Sequence, residues 1–268
     1  MPFQVPDKKL AQHFLKDNAI IHKILQTRPT GAKSVLEVGP GNGVLTEHLA
    51  LMDLPLMAIE KDERFQADLC HFVSPQNLIM ADALEVNISQ LLEQKSSAML
   101  TPVWLVSNLP YNQGVPLLLH FLLTPKIHFL TVMLQKEVGE KLMPEKYRNG
   151  MNSLGALTSS YFDIRQVCAV PPKAFFPPPE VDSMVLYLAR KVTPDFPNEE
   201  WKKWEKFLRQ VFAHKRKQLG TVLKPFFPND KIKPALEETG IDTQIRAEAL
   251  PLSKLQQLYR KLTQEMVR

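Results

Sequence analysis

The run Asn108-Leu109-Pro110-Tyr111-Asn112 brings together an amide side chain, a proline-fixed turn and an aromatic ring. These residue types suit one chemical problem. The exocyclic amine of adenine is a poor nucleophile because its lone pair is delocalised into the ring, and acceptors placed against its two N–H hydrogens favour a pyramidal, more reactive nitrogen. The Asn108 side-chain oxygen and a main-chain carbonyl of the Leu109-Pro110 turn can supply those acceptors, with Pro110 setting the turn. Tyr111 offers a flat face to a base taken out of its stack. A methyl donor of the sulfonium type is already electrophilic and needs alignment more than acid or base catalysis, so the chemistry requires no His or carboxylate base. Taken alone, Asn-x-Pro-Tyr is equally an ordinary strand-ending turn.

A second constellation lies upstream. An apolar run ends in Glu37-Val38-Gly39-Pro40-Gly41-Asn42-Gly43 ahead of a helical pattern. Such glycines permit a tight turn and a close approach of ligand to backbone at a helix N-terminus. The spacing is G-x-G-x-G, unlike the dinucleotide fingerprint G-x-G-x-x-G. Glu60 closes the next apolar run, where a carboxylate can accept from two ribose hydroxyls, as suits NAD or S-adenosylmethionine. Asp82 follows the third run and can accept from an adenine amine or cap the next helix. The two cysteines, Cys70 and Cys168, are far apart, and the seven histidines lack metal-ligand spacing, so neither a disulfide framework nor a metal is expected.

The elements that must position these residues alternate. Strands are expected at Ser34–Val38, Leu54–Ile59, Asn77–Met80, Val103–Val106 and Ile127–Leu134, with helices at Val44–Met52, Arg64–Phe72, Val115–Leu123, Lys136–Met143 and Ser153–Tyr161. This pattern implies an α/β doubly wound parallel sheet. Two later strands, Ile164–Val170 and Val181–Leu188, read as an antiparallel hairpin at the sheet edge. The Pro-interrupted stretch after Thr193 marks a boundary, with Asn198 a candidate cap for the helix that follows. Beyond it lie candidate helices Glu199–Ala213, Lys215–Lys224, Lys231–Glu238 and Ser253–Met266. The expected organisation is residues 1–192 as a ligand-binding domain and 193–268 as a small all-α domain.

Charge divides along the same line. Residues 1–198 carry 18 Lys+Arg against 19 Asp+Glu, and residues 199–268 carry 15 against 9. A basic surplus confined to the helical segment suggests an acidic partner such as nucleic acid, or else a solvated helix surface. At 44% hydrophobic and 23% charged residues the chain has material for a core, which excludes disorder. Neither a long apolar run nor a secretory-type leader is visible, so a cytoplasmic location and no membrane partner are expected.

The chain resembles the KsgA-type small-subunit (16S) rRNA adenine N6-dimethyltransferases. The likeness rests on Lys9-Leu-Ala-Gln-His-Phe-Leu15, Leu36-Glu-Val-Gly-Pro-Gly-Asn-Gly43, Glu60-Lys-Asp62, Asp82-Ala83, Asn108-Leu-Pro-Tyr-Asn112, Gln135-Lys-Glu-Val138, Ala174-Phe-Phe-Pro-Pro-Pro-Glu-Val-Asp-Ser183 and Arg246-Ala-Glu248. It implies a Rossmann-like S-adenosylmethionine-dependent methyltransferase domain, and dimethylation of two adjacent adenosines in a hairpin loop near the 3′ end of small-subunit rRNA, with a role in subunit biogenesis. Cofactor positions carry over to Gln12, His13, Leu15, Gly39, Gly41, Glu60, Asp82 and Asn108. Base-handling positions carry over to Asn108, Leu109, Pro110 and Tyr111, with Phe175, rather than its neighbour Phe176, as the second aromatic around the flipped adenine. The helical domain would contact RNA phosphates through Lys202, Lys203, Lys206, Arg209 and His214-Lys215-Arg216-Lys217, extended by Lys8, Lys9 and Lys16. A monomer is expected. The sequence departs from the family at Ala11, usually Gly, at Gln113-Gly114-Val115 and at Asn152 to Gly155. Alternatives are an Erm-like large-subunit rRNA methyltransferase, a non-catalytic RNA-binding assembly factor on the same fold, and an NAD-dependent oxidoreductase.

Overall fold

The computed structural model describes residues 12–95, 99–148, 150–214 and 216–263. Lys8, Lys9, Ala11, Lys215 and Met266 lie outside them. The chain forms two compact units, one built from residues up to 139 and 163–190, the other from 140–162 and those from 191 onward.

In the first unit the elements are β1 (Phe14–Leu15), α1 (Asn18–Leu25), β2 (Ser34–Val38), α2 (Val44–Ala50), β3 (Leu56–Glu60), α3 (Gln66–Leu69), β4 (Leu78–Met80), α4 (Ile88–Gln94), β5 (Val103–Asn108), α5 (Gly114–Leu122) and β6 (Ile127–Gln135). After the helices of the second unit's first segment come β7 (Phe162–Val170), β8 (Phe175–Phe176) and β9 (Ser183–Arg190). Seven strands form one sheet in the order β4-β3-β2-β5-β6-β9-β7. Strands β4 to β6 run parallel and β9 is antiparallel to β6. The parallel strands are apolar throughout because both faces are covered; Val35, Leu36, Met57, Ala58 and Leu105 are fully buried. Chain order reverses between β2 and β5, so a crevice opens at their carboxyl ends, the usual place for a ligand in an open α/β sheet. The pairing Val38↔Ser107 puts the glycine turn beside Asn108 at this crevice.

Two elements not expected from the sequence matter for the site. Helix α1 is started by Asp17, whose Oδ1 accepts from the N–H groups of Ala19 (2.9 Å) and Ile20 (3.2 Å), and it buries Ile20, Ile21 and Ile24. A two-residue ladder joins β1 to β8, pairing Phe14 with Phe176 and Leu15 with Phe175.

The second unit comprises part of α6 (Lys136–Leu142), α7 (Pro144–Tyr147), α8 (Ser153–Tyr161), α9 (Trp201–Val211), α10 (Leu219–Leu223), α11 (Asn229–Glu238) and α12 (Leu252–Thr263). Its centre is Trp204, fully buried, with ring centroids of Phe196, Tyr259 and Phe207 at 4.8, 5.0 and 5.6 Å. Helix α8 belongs here, and not with the preceding domain as the boundary near Thr193 implied. Tyr161 packs on Trp201 at 4.5 Å, and Trp204 Nε1–H donates to Ser160 Oγ at 3.2 Å. Nor does Asn198 cap α9: it opens a 3-10 turn, Asn198–Glu200, and α9 starts from Glu200 without a side-chain cap bond. Helix α9 buries Trp201, Trp204, Phe207, Leu208 and Val211 along one stripe and exposes Lys202, Lys203, Lys206 and Arg209.

Candidate active site

A cavity at the carboxyl ends of β2, β3 and β5 encloses about 1180 Å³ of empty space, its open mouth included. Gln12, His13, Leu15, Gly39, Gly41, Glu60, Asp82, Asn108, Leu109, Pro110 and Tyr111 all line it. The structure thus gathers at one wall residues that the sequence spreads over a hundred positions.

The glycine turn is fixed from beneath. Gly39 and Gly41 take φ of 71° and 55°, a region that side-chain-bearing residues avoid. A Cβ on Gly41 would stand 3.1 Å from the Phe14 ring, and one on Gly39 would meet nothing, so at Gly39 the main chain lies open. Gly41 N–H donates to Glu60 Oε2 and Asp62 N–H to Glu60 Oε1, both at 2.8 Å. Glu60 is only 6% exposed, and burial raises its carboxyl above the ordinary range. These two N–H bonds favour the ionised form and aim the carboxylate.

Asp82 does not cap the next helix, since α4 is capped by Asn87. Its Oδ1 accepts from Leu84 N–H at 2.9 Å within a turn, while Oδ2 pairs with Lys61 Nζ at 2.7 Å and the group lines the cavity. The Lys61 ammonium holds its carboxyl below the usual range. Gln12 reaches across from the N-terminal segment, donating from Nε2 to Asp62 Oδ2 at 2.8 Å. Asp62 in turn is gripped by Arg64, with Nε–Oδ1 at 2.8 Å.

At the other end, Asn108 Nδ2 donates to the His13 carbonyl at 3.1 Å. A carbonyl can only accept, so this bond settles which side of the amide is nitrogen and directs Oδ1 away as the acceptor. Of the two turn carbonyls, that of Pro110 accepts from Gln113 N–H (3.1 Å) as α5 begins, whereas the Leu109 N–H extends the ladder to Met133. The Tyr111 hydroxyl is hydrogen-bonded to Ser183 Oγ. Tyr111 also stacks with His13, ring centroids 5.5 Å apart at 25°.

Phe175 is not at the cavity wall. It is 1% exposed, in the core with Phe14 and Leu15, whereas Phe176 is 46% exposed. The cause is strand alternation within β8, which turns neighbouring side chains to opposite faces. In this conformation Phe175 supports the β1–β8 ladder, and the stacking role assigned to it is not made.

Glu37 was not anticipated. It lines the cavity at 1% exposure, with the buried Thr46 hydroxyl beside it. Burial, with Glu60 adding to it, pushes the carboxyl up to about 8. The signal was a lone acid in the otherwise apolar run Ser34–Val38. Among the described residues no group of three or more His, Cys, Asp or Glu is placed to hold a metal ion.

Comparison with known proteins places this geometry. Residues 6–264 match the family described as ribosomal RNA adenine dimethylase. The chain belongs to that family. Curated relatives include the ribosomal RNA small subunit methyltransferase A of Staphylococcus haemolyticus, 34% identical with 94% of this chain and 88% of the relative covered. That of Thermosynechococcus vestitus is 33% identical, with 96% and 98% covered. Among solved structures, a dimethyladenosine transferase from Plasmodium falciparum shares the fold at a TM-score of 0.73 and 23% identity, covering 92% of this chain and 96% of that one. The 23S rRNA methyltransferase ErmE does so at 0.71 and 24%, covering 93% and 99%. The fold is the Rossmann-like methyltransferase fold with a helical C-terminal region, and the family is one of S-adenosylmethionine-dependent enzymes. An oxidoreductase reading is thereby set aside.

Proposed function

We propose that the protein dimethylates two adjacent adenosines in the 3′-terminal hairpin loop of small-subunit rRNA, acting as a cytoplasmic monomer in small-subunit biogenesis. One observation carries the chemistry: the Asn108 amide is held by the His13 carbonyl with its oxygen as the remaining acceptor, beside the Leu109 carbonyl and the Tyr111 ring. The curated relatives named for small-subunit methylation, aligned over nearly the full chain, support the substrate. They favour it over an Erm-like or a non-catalytic reading.

The cavity fits S-adenosylmethionine. Bare main chain at Gly39, a main-chain-aimed carboxylate at Glu60 and an acceptor at Asp82 suit a nucleoside with a charged tail. Gln12, His13, Leu15, Gly41 and Asn108 complete the set that would hold it. Bound there, it would supply an electrophilic methyl group on a sulfonium, whose carbon–sulfur bond breaks on transfer to leave a neutral thioether. Asn108 Oδ1 and the Leu109 carbonyl accept the two N6–H bonds of the target adenine and draw its lone pair out of conjugation. Tyr111, fixed through Ser183, stacks on the base. Each transfer replaces one N6–H bond by N6–CH3, and the proton leaves to solvent. Rotation about the C6–N6 bond presents the second hydrogen's position for a second round.

The helical unit supports RNA binding. Lys202, Lys206, Arg209 and Phe226 line an open groove on it, and Phe226 is 44% exposed. Cations that contact phosphates give salt-dependent affinity without reading sequence. The test is transfer of labelled methyl groups from S-adenosylmethionine to undermethylated small ribosomal subunits, followed by mapping. Two dimethylated neighbouring adenosines near the 3′ end are expected; label at other nucleotides, or none, refutes the substrate.

A further inference from the structure

His13 touches both base-handling residues by different atoms. Its main-chain carbonyl takes the Asn108 Nδ2–H bond (3.1 Å) and its ring stacks on Tyr111 (5.5 Å, 25°). The ring is anchored in turn: His13 Nδ1 lies 2.8 Å from the Pro177 carbonyl. Since that oxygen only accepts, Nδ1 carries the hydrogen. Pro177 follows directly on β8, and His13 directly precedes β1, so the small β1–β8 ladder holds this anchor in register.

We infer that His13 is a positioning residue for the target base, its imidazole backing one face of Tyr111 so that the adenine stacks on the other. Two rings this close leave no room for a third between them. Tyr111 is thus gripped twice, at its hydroxyl by Ser183 and on one face by His13. Phe175, sealed in the core, cannot do this. The imidazole is engaged with Pro177 through Nδ1 and with Tyr111 through one face. Residues His13 to Leu15 therefore orient Asn108 and Tyr111 together and form part of the adenine-handling site. The inference rests on the methyl-transfer reading above.

The experiment separates ring from backbone. Steady-state methylation of undermethylated small subunits is measured for the wild-type enzyme and for His13→Ala, His13→Asn and His13→Phe, and S-adenosylmethionine affinity of each is measured by calorimetry. Ala and Asn remove the ring and are expected to lower kcat/KM for RNA roughly three- to tenfold, the worth of one ring–ring stack. Phe keeps a ring against Tyr111 and is expected to restore the rate to within about twofold. RNA kcat/KM is compared at saturating S-adenosylmethionine, so that any change in cofactor affinity at this cavity-lining residue does not enter the comparison, and circular dichroism shows that each variant is folded. Wild-type kcat/KM in Ala and Asn, or a Phe variant that falls as far as Ala, overturns the role of the ring while leaving the methyltransferase reading intact. No transfer by the wild-type enzyme overturns both.

Discussion

Replacing Glu37 by Gln should make the protein more stable at alkaline pH and remove a pH dependence that the wild type has. The buried carboxyl titrates at about 8 in the folded chain against a reference of 4.5, chiefly because burial disfavours its charge. A group whose folded value is raised contributes stability fully present below its unfolded value, here about 4.5, and lost as pH rises through about 8. At about 1.4 kcal/mol for each tenfold change in proton affinity, the loss has a ceiling on the order of 5 kcal/mol. Entry of water around the ionised group would bring it lower. Gln has the shape of the protonated acid, does not ionise, and can donate from Nε2 to the Thr46 hydroxyl beside it. Urea unfolding between pH 5 and pH 9, followed by circular dichroism and tryptophan fluorescence, reads the effect. Wild type and variant should agree near pH 5 and diverge by several kcal/mol at pH 9, with the Glu37→Gln protein the more stable. A wild-type stability that is level from pH 5 to 8, or a variant that keeps the wild-type slope, would refute the assignment of a neutral buried acid.

Asn108→Ala should leave the fold intact and cut methyl transfer by at least roughly a hundredfold, the scale of losing one preorganised partner at a reacting group; near-normal labelling of small subunits would remove the mechanism. Reversing Lys202, Lys206 and Arg209 to Glu should weaken RNA binding and flatten the log–log salt dependence of affinity by roughly 2 to 3, read by filter binding at several salt concentrations. An unchanged slope would mean that the groove on the helical unit faces something other than phosphate. Gly155→Ala should destabilise the helical unit by about 1–3 kcal/mol, because its Cβ would lie 2.6 Å from the Lys141 carbonyl and 3.0 Å from Pro144; denaturant unfolding checks it, and an unaltered midpoint would refute the close approach.

Much of the first unit could be read directly because Glu60, Asn108 and the glycine turn stand at the ends of buried strands. Glu60, Asn108 and the turn after Val38 follow apolar runs whose period and bounds differ from the observed strands by a residue or two. A strand buried on both faces advertises itself by continuous apolar composition. Helix α1 was equally legible in principle, with Asp17 as cap and Ile20, Ile21 and Ile24 on one side. The β1–β8 ladder was not. Two residues have no periodicity, and nothing local to Phe14 states that Phe176, 162 positions away, is its partner. The side that Phe175 presents follows from that ladder, so its burial was hidden with it. The allegiance of α8 was likewise set by tertiary packing: its own pattern fixes a helix over Ser153–Tyr161, but only the Trp201 and Trp204 rings decide which unit it joins.

The carboxyls of the cavity explain why the chemistry is left to neutral acceptors. Glu37 is held protonated near neutral pH by burial. Glu60 has both oxygens against main-chain N–H groups, and Asp82 has one on Leu84 N–H and the other on Lys61. Glu60 and Asp82 are thus bound to structural partners, and on the proposed reading they face the nucleoside while Asn108 and Tyr111 face the base. A strong base at N6 would serve no purpose, since the amine must give up its proton only as the new N–C bond forms. What the nitrogen needs is a fixed geometry in which its lone pair leaves the ring plane, and that depends on where Asn108 Oδ1 and the Leu109 carbonyl are held. The Asn108 amide is oriented by the His13 carbonyl, next to a two-residue strand, and the Leu109 peptide by its N–H bond to Met133. The proposed reactive end therefore draws on both the small ladder, through Asn108, and the large sheet, through Leu109, whereas the binding end rests on the large sheet.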